Sequence, residues 1–200
     1  MRIGILGGTF DPPHIGHLIL ADEAADQLKL DRLLWVLTPE PPHKLGQAIS
    51  PVEQRLDLLE AALSGNDGFE ISLVELSRPG PHYSLDTVRT LQEKMPGNDW
   101  VFLIGEDSLR DLPTWHEPQQ LVQLVTCLGV MRRPEVTVDP KALNRAVPGV
   151  FERVQYYQAP LIDISSSDIR RRIATGRPFR YLVPGLVFER ILEKGYYLAD

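Results

Sequence analysis

The first twenty residues, MRIGILGGTFDPPHIGHLIL (1–20), decide the fold. Ile3 to Leu6 form a short apolar run, typical of a buried strand, that stops at a pair of glycines. Apolar residues then recur at helical spacing from Ile15 to Leu28. A buried strand that leads through a glycine turn into a helix is the first half of a β-α-β unit.

The same alternation continues along the rest of the chain. Strands are predicted at 32–37, 69–76, 100–105, 125–131 and 154–163, and helices at 51–63 (with Ser50 as N-cap), 84–95, 165–176 and 184–195. Residues 132–149 are expected to be irregular. The pattern predicts an α/β fold with a Rossmann-like open parallel sheet, helices on both faces and a single domain over 1–200.

Composition narrows the class of protein. A formal net charge of −6 disfavours a binder of long nucleic acid, which usually carries a basic surface. No stretch is long and apolar enough to predict a membrane span, and the N-terminal residues do not resemble a signal peptide. The single cysteine, Cys127, lies in an apolar run and is expected to pack as a buried small hydrophobe. We therefore expect a cytoplasmic protein.

Two histidines lie in the first turns of the first predicted helix. His14 and His17 are three residues apart and therefore share a helix face, near backbone N–H groups that favour an anion. Gly7 and Gly8 permit positive φ and a close approach of the backbone to a ligand. Two imidazole donors here suit a phosphate chain, although capping or surface histidines fit the spacing equally. A zinc site is disfavoured because no third ligand has suitable spacing, and Asp11 fits a helix cap.

A second anion-binding pattern lies near the C-terminus, in ISSSDIR (164–170). Ser165 and Ser166 precede a predicted helix, and Arg170 lies just over a turn into it, so that all three could contact one anion. Alone, the same residues fit a capped helix with a solvated basic face. In parallel sheets, however, the segments that follow the strands converge at one edge. The two patterns are therefore expected to meet.

These segments together resemble a known family. GGTFDPPHIGH resembles the TxxH…HxGH signature of the nucleotidyltransferases related to class I aminoacyl-tRNA synthetases, and ISSSDIR resembles their ISSTxxR motif, with Ser167 where threonine is usual. With PPHK (41–44), HYSLDT (82–87) and GEDSLRDLPTWHE (105–117), the whole chain is similar to bacterial nicotinate mononucleotide adenylyltransferases. Phosphopantetheine adenylyltransferases share only the first and last motifs.

The resemblance implies two adjoining sites. The implied ATP-binding residues are Gly7, Gly8, Thr9, Phe10, His14, His17, Gly105, Asp107, Ile164, Ser165, Ser166 and Arg170, and residues from about 164 to 200 would complete this site. The implied mononucleotide-binding residues are Lys44, Tyr83, Ser84, Thr87, Trp115, His116 and Arg133, with Trp115 stacking on the pyridine ring. The implied catalytic residues are His14, His17, Lys44 and Arg170.

The implied reaction joins ATP and nicotinate mononucleotide, both small molecules, in NAD biosynthesis. Mg²⁺ is expected to be held mainly by ATP phosphates and water, with no metal ligands supplied by the protein. Alternatives are an adenylyltransferase for nicotinamide mononucleotide or phosphopantetheine, and a nucleotide-binding module without catalysis. A tRNA-handling fragment is disfavoured by the acidic charge. The strictness for nicotinate and the oligomeric state stay open, including a homo-oligomer.

Overall fold

The computed structural model describes residues 1–40 and 49–198, which form an α/β fold. The strands are β1 (Arg2–Gly8), β2 (Arg32–Leu37), β3 (Phe69–Ser72), β4 (Asp99–Gly105), β5 (Cys127–Met131) and β6 (Val154–Tyr157). The helices are α1 (Ile15–Gln27), α2 (Val52–Leu63), α3 (Ser84–Lys94), α4 (Glu106–Asp111), α5 (Pro118–Leu124), α6 (Pro140–Ala146), α7 (Ser166–Ala174) and α8 (Gly185–Lys194). Within the described ranges, no helix combines the length and the apolar character that crossing a membrane would require.

The described strands form one sheet in the order β3-β2-β1-β4-β5-β6, and each neighbouring pair is parallel. The predicted Rossmann-like parallel sheet is confirmed. The chain moves outward from β1 to β3 and then returns to place β4 on the other side of β1. The switch point of the strand order therefore lies between the carboxyl ends of β1 and β4, which is where ligands bind in sheets of this kind.

Alternating side chains of the strands feed two apolar layers, one on each face of the sheet. In β2, Leu34 and Val36 belong to one layer, whereas Leu33, Trp35 and Leu37 belong to the other. Helices α3, α5 and α6 contribute to the first layer, and α1 and α2 contribute to the second. Because both faces are covered, the strands are apolar on both sides, and this explains their continuous hydrophobic sequences.

A third apolar cluster attaches the last two helices to the sheet domain. Leu58 and Ala62 of α2 pack against Ile169 and Ile173 of α7 and against Val187 of α8, among others. The third cluster thereby fixes the N-terminus of α7 beside the segment that follows β1.

The structure corrects several predicted boundaries. Ser50 is not the N-cap of α2: that position is Pro51, and the Ser50 N–H instead donates to the Asp11 carboxylate at 3.2 Å. The predicted strands at 69–76 and 154–163 end at Ser72 and Tyr157, because the remaining apolar residues lie in turns and loops. Residues 132–149 contain α6, whose start is capped by the Asp139 carboxylate.

Candidate nucleotide site

The two anion-binding patterns meet at the carboxyl end of β1, as the parallel sheet requires. The Ser166 hydroxyl donates to the carbonyl oxygen of Pro12 at 2.8 Å. Arg170 Nη1 donates to the carbonyl oxygen of Asp11 at 2.6 Å. These two bonds join segments more than 150 residues apart and bring the N-termini of α1 and α7 to the same place. Two helix N-termini and a guanidinium together form a site that favours an anion.

Gly7 and Gly8 leave space for neighbouring groups, and neither forms a left-handed turn. Gly7 and Gly8 are extended residues of β1, so the predicted use of positive φ is wrong at this pair. The left-handed residue is Phe10, with φ of 46°. A Cβ on Gly8 would lie 2.9 Å from the Phe10 ring, whereas one on Gly7 would meet nothing within 4 Å. Gly8 thus makes room for the buried Phe10, and Gly7 borders open space.

His14 and His17 share one face of α1, as their spacing predicts. Their rings stack with centroids 3.7 Å apart. His14 is the N-cap residue, and its backbone N–H donates to His17 Nδ1 at 3.2 Å. Because Nδ1 of His17 is an acceptor, the proton of its neutral ring lies on Nε2. Phe10 meets the His17 ring edge-on at 5.3 Å and further fixes its orientation.

His14 is buried, with 7% of its surface exposed, and burial lowers its pKa from 6.5 to about 4. At neutral pH it is therefore an uncharged hydrogen-bonding group and supplies no positive charge. Gly16 explains how the ring fits here: a Cβ at that position would lie 3.2 Å from His14 Nδ1 and 3.3 Å from Cε1. The glycine between the two histidines leaves the space that the His14 ring occupies.

At the start of α7 the structure separates the two serines that the sequence groups together. The Ser165 hydroxyl caps the helix by accepting the N–H of Asp168 at 3.1 Å, while Ser166 binds the first loop. Ile164, just before them, packs at the edge of the third cluster. Ser165 therefore acts as the cap that the alternative interpretation expected, and its exposed position also borders the site.

Arg55 is a residue of this site that the sequence analysis missed. It is only 1% exposed and donates to four carbonyl oxygens, those of Thr9, Thr38, Pro39 and Ser50, at 2.8–3.1 Å. A buried guanidinium thereby compensates the carbonyl dipoles at the ends of β1 and β2 and holds the start of α2 beside them. An arginine in the first turn of an amphipathic helix looks like a surface residue, so no local signal indicates this role.

Asp11 and Tyr197 were also not assigned to the site by the sequence. Asp11 is 2% exposed, and its carboxylate lies 3.5 Å from Arg170 Nη1. The Tyr197 hydroxyl donates to Asp11 Oδ1 at 3.0 Å. The sequence predicts a helix cap for Asp11 and assigns no role to Tyr197, but the structure places both at the anion site.

A second group of predicted residues gathers beyond the ends of β3 and β4. The Tyr83 and His116 rings stack with centroids 4.1 Å apart, which joins HYSLDT to LPTWH. Trp115 is half-buried and meets Phe102 edge-on at 6.2 Å. Ser84 is the first residue of α3, so its neighbourhood offers the unpaired backbone N–H groups of a helix start.

Thr87 lies inside the protein rather than at the surface of this second group. It is 2% exposed, and its hydroxyl contacts Glu75, accepts from Arg78 Nη2 at 2.9 Å and lies 3.2 Å from the Tyr83 carbonyl oxygen. Burial raises the pKa of Glu75, while Thr87 opposes the shift. His82 is also buried, and burial followed by the charge of Arg78 lowers its pKa. This network fixes the start of α3, and substrate contact by Thr87 stays a prediction.

Gly105 and Asp107, implied for ATP, and Arg133, implied for the mononucleotide, lie together beyond the ends of β4 and β5. Gly105 is the N-cap of α4, and Asp107 in its first turn pairs with Arg133 Nε at 3.3 Å. The backbone N–H of Arg133 donates to the Glu106 carboxylate at 2.7 Å. A cavity of about 390 Å³ adjoins them and is lined among others by Glu106, Arg133, Gln158 and Leu161. Its size lies within the range of small-molecule pockets.

Lys44, predicted for catalysis and for the mononucleotide, lies outside the described residues. Among the residues that are described, no group of three His, Cys, Asp or Glu side chains is arranged to hold a metal ion.

Comparison with known proteins places the chain in a family. The cytidylyltransferase-like family model matches residues 5–172. A probable nicotinate-nucleotide adenylyltransferase of Thermomicrobium roseum is 48% identical over 98% of this chain and 91% of that protein. One of Roseiflexus is 42% identical over 98% of this chain and 97% of that protein. The chain belongs to the nicotinate-nucleotide adenylyltransferase family.

The resemblance stated from the motifs is thereby confirmed. A solved structure, the nicotinic acid mononucleotide adenylyltransferase of Plasmodium falciparum complexed with NaAD, is 18% identical over 98% of this chain and 97% of that chain, with a TM-score of 0.76. At that identity the likeness concerns the fold, which this family member shares over nearly its whole length.

Proposed function

We propose that this chain transfers the adenylyl group of ATP to the 5′-phosphate of nicotinate mononucleotide, giving nicotinate adenine dinucleotide and pyrophosphate. The observation that carries the proposal is the junction of the two phosphate motifs through Ser166–Pro12 and Arg170–Asp11. It is supported by the family to which the chain belongs.

The reaction requires the protein mainly to align the two substrates and to stabilise negative charge on the reacting phosphates. A phosphate oxygen of the mononucleotide forms a bond to the α-phosphorus of ATP, and the bond from that phosphorus to the bridging oxygen breaks with its electrons on pyrophosphate. The nucleophile is already an anion, so no general base is required. Catalysis then rests on alignment and on stabilising charge at the transferring and departing groups.

Within this scheme the two histidines and Arg170 have different roles. His17 would donate from Nε2, because its Nδ1 already accepts the backbone N–H of His14. His14, uncharged since burial lowers its pKa to about 4, would act through a hydrogen bond. Positive charge would come from Arg170 and from the N-termini of α1 and α7. Lys44 would add a cation on the grounds of the PPHK motif.

The mononucleotide would lie between the segments joined by the Tyr83–His116 stack. Trp115 would stack on its pyridine ring, and backbone N–H groups near Ser84 and His116 would hold its carboxylate. Gly105 and Asp107 would border the adenosine of ATP beside the 390 Å³ cavity. Arg133, which pairs with Asp107, would contact the mononucleotide, as the resemblance implies.

Mg²⁺ would travel with ATP, held by phosphate oxygens and water. A cytoplasmic location stays a prediction from composition.

The test is release of pyrophosphate from ATP with each of three acceptors: nicotinate mononucleotide, nicotinamide mononucleotide and phosphopantetheine. We expect the first to be preferred, and His17→Ala to lower kcat by roughly two to three orders of magnitude with an unchanged circular dichroism spectrum. Binding of ATP with no pyrophosphate release for any acceptor would favour a module without catalysis. Preference for another acceptor would replace the proposed substrate.

A further inference from the structure

The side chain of Tyr197 reaches back from beyond the last helix into the anion site. Its hydroxyl donates to Asp11 Oδ1 at 3.0 Å, across 186 residues of sequence. Burial, followed by the charge of Asp11 and the hydrogen bond to it, raises the pKa of Tyr197. The hydroxyl therefore keeps its proton at neutral pH and acts as a donor.

The backbone at this point is held in a conformation that requires support. Gly195 ends α8 with φ of 67°, and Tyr197 itself has φ of 64°, which is uncommon for a residue with a side chain. The strain persists where surrounding contacts over-determine it. Here the contacts are the bond to Asp11 and packing of the ring against the third cluster.

The two oxygens of the Asp11 carboxylate have separate partners. Oδ1 accepts from Tyr197, whereas Oδ2 accepts the Ser50 N–H at 3.2 Å and lies 3.5 Å from Arg170 Nη1. That same Nη1 donates at 2.6 Å to the main-chain carbonyl of Asp11. Arg170 is thus oriented mainly by a neutral carbonyl, and the carboxylate engages it loosely through one oxygen.

We propose that Tyr197 is a positioning residue of the ATP site, which acts through Asp11 on Arg170. By occupying Oδ1, the hydroxyl prevents the carboxylate from turning to pair with the guanidinium through both oxygens. A two-oxygen pair with Asp11 would neutralise Arg170 and compete with a phosphate for it. The proposal rests on the proposed function in that ATP is the anion concerned.

The neighbouring tyrosine provides a matched control. The Tyr196 hydroxyl also donates to a carboxylate, Asp57 Oδ2, at 3.1 Å. Asp57 belongs to α2 and pairs with Arg190 of α8 rather than with Arg170. Tyr197→Phe and Tyr196→Phe therefore each remove one hydroxyl and one bond to a carboxylate, but only the first touches Asp11.

The experiment measures binding of the non-hydrolysable analogue α,β-methylene-ATP by calorimetry, with steady-state kinetics alongside. For Tyr197→Phe we expect a roughly tenfold rise in Kd and in KM for ATP, with KM for the mononucleotide changed less than about twofold. For Tyr196→Phe we expect all three constants within about twofold of wild type. Urea unfolding of both variants checks that the loss of stability is comparable.

A double-mutant cycle separates positioning from general support. In an Arg170→Ala background, Tyr197→Phe should change the Kd of the analogue by less than about twofold, because the residue through which it acts is gone. The proposal fails if Tyr197→Phe behaves as Tyr196→Phe does, or if it weakens binding by the same factor in both backgrounds. Wild-type protein that binds the analogue but releases no pyrophosphate would refute the proposed function and leave the inference standing.

Discussion

The burial of His14 predicts a specific loss of stability in mild acid. Its pKa falls from 6.5 in the unfolded chain to about 4 in the fold, so between these values only the unfolded state binds the proton. Stability is therefore unaffected above about pH 6.5 and declines as the pH falls towards 4. Linkage gives a loss of about 2 kcal/mol at pH 5 and about 3 kcal/mol below about pH 4, where the folded state is protonated as well.

The substitution His14→Gln removes the titrating ring and so isolates the contribution of His14 to the pH dependence of stability. Urea unfolding of both proteins at pH 7.5 and pH 5.0 gives four free energies. We expect wild type to lose about 2 kcal/mol more than the variant between these two pH values. Other titrating groups, including buried His82, contribute equally to both proteins and cancel in the double difference.

Any pH-independent change in the free energy of unfolding caused by the substitution also cancels, because it is the same at both pH values. Equal pH dependence of the two proteins would show that the folded imidazole is as easily protonated as a free one. The view of His14 as an uncharged hydrogen-bonding group would then be refuted.

Three further substitutions test other parts of the site. Trp115→Ala should raise KM for the mononucleotide roughly tenfold with KM for ATP little changed, and equal effects on both would count against stacking. Arg55→Lys keeps the charge but cannot reach four carbonyls, so urea unfolding should show a loss of about 2 kcal/mol together with lower kcat/KM. Arg32→Lys, at a half-exposed ion pair with Glu70, should cost less, under about 1 kcal/mol, and leave kcat/KM unchanged. Gly16→Ala should lower activity, because its Cβ would press on the His14 ring, while the gain in helix propensity offsets this contact and the free energy of unfolding changes by less than about 1 kcal/mol. Gly185→Ala, whose Cβ meets nothing within 4 Å, should leave activity unchanged.

The hydrophobic periodicity of the chain predicts the strands of the sheet correctly but places the ends of some strands and helices wrongly. β1, β2, β4 and β5 were predicted at or close to their observed bounds because each is a buried apolar run. The strands at 69–72 and 154–157 were predicted too long, since apolar residues in turns continue the same local pattern. Helix α6 was missed because the residues around it show no helical period, although Asp139 and Pro140 form a usual helix start.

The sequence likewise predicted some residues of the candidate site and not others. Ser166 and Arg170 were found because they stand in a motif whose chemistry is local, and their meeting with the first loop followed from parallel strands. Arg55 and Tyr197 were not found, because an arginine in a helix and a tyrosine near a chain end have no pattern that reveals their partners. The partner of Tyr197 is 186 residues away.

The sequence by itself determined the alternation of strands and helices, the place of two phosphate-binding segments, and the family. Each of these follows from short segments of the chain whose pattern is set by neighbouring residues. Only the tertiary structure decided that His14 is uncharged, that Arg55 compensates the carbonyls at the ends of β1 and β2, and that Tyr197 holds Asp11. Burial and long-range hydrogen bonds set these properties, and both arise only when distant segments pack together.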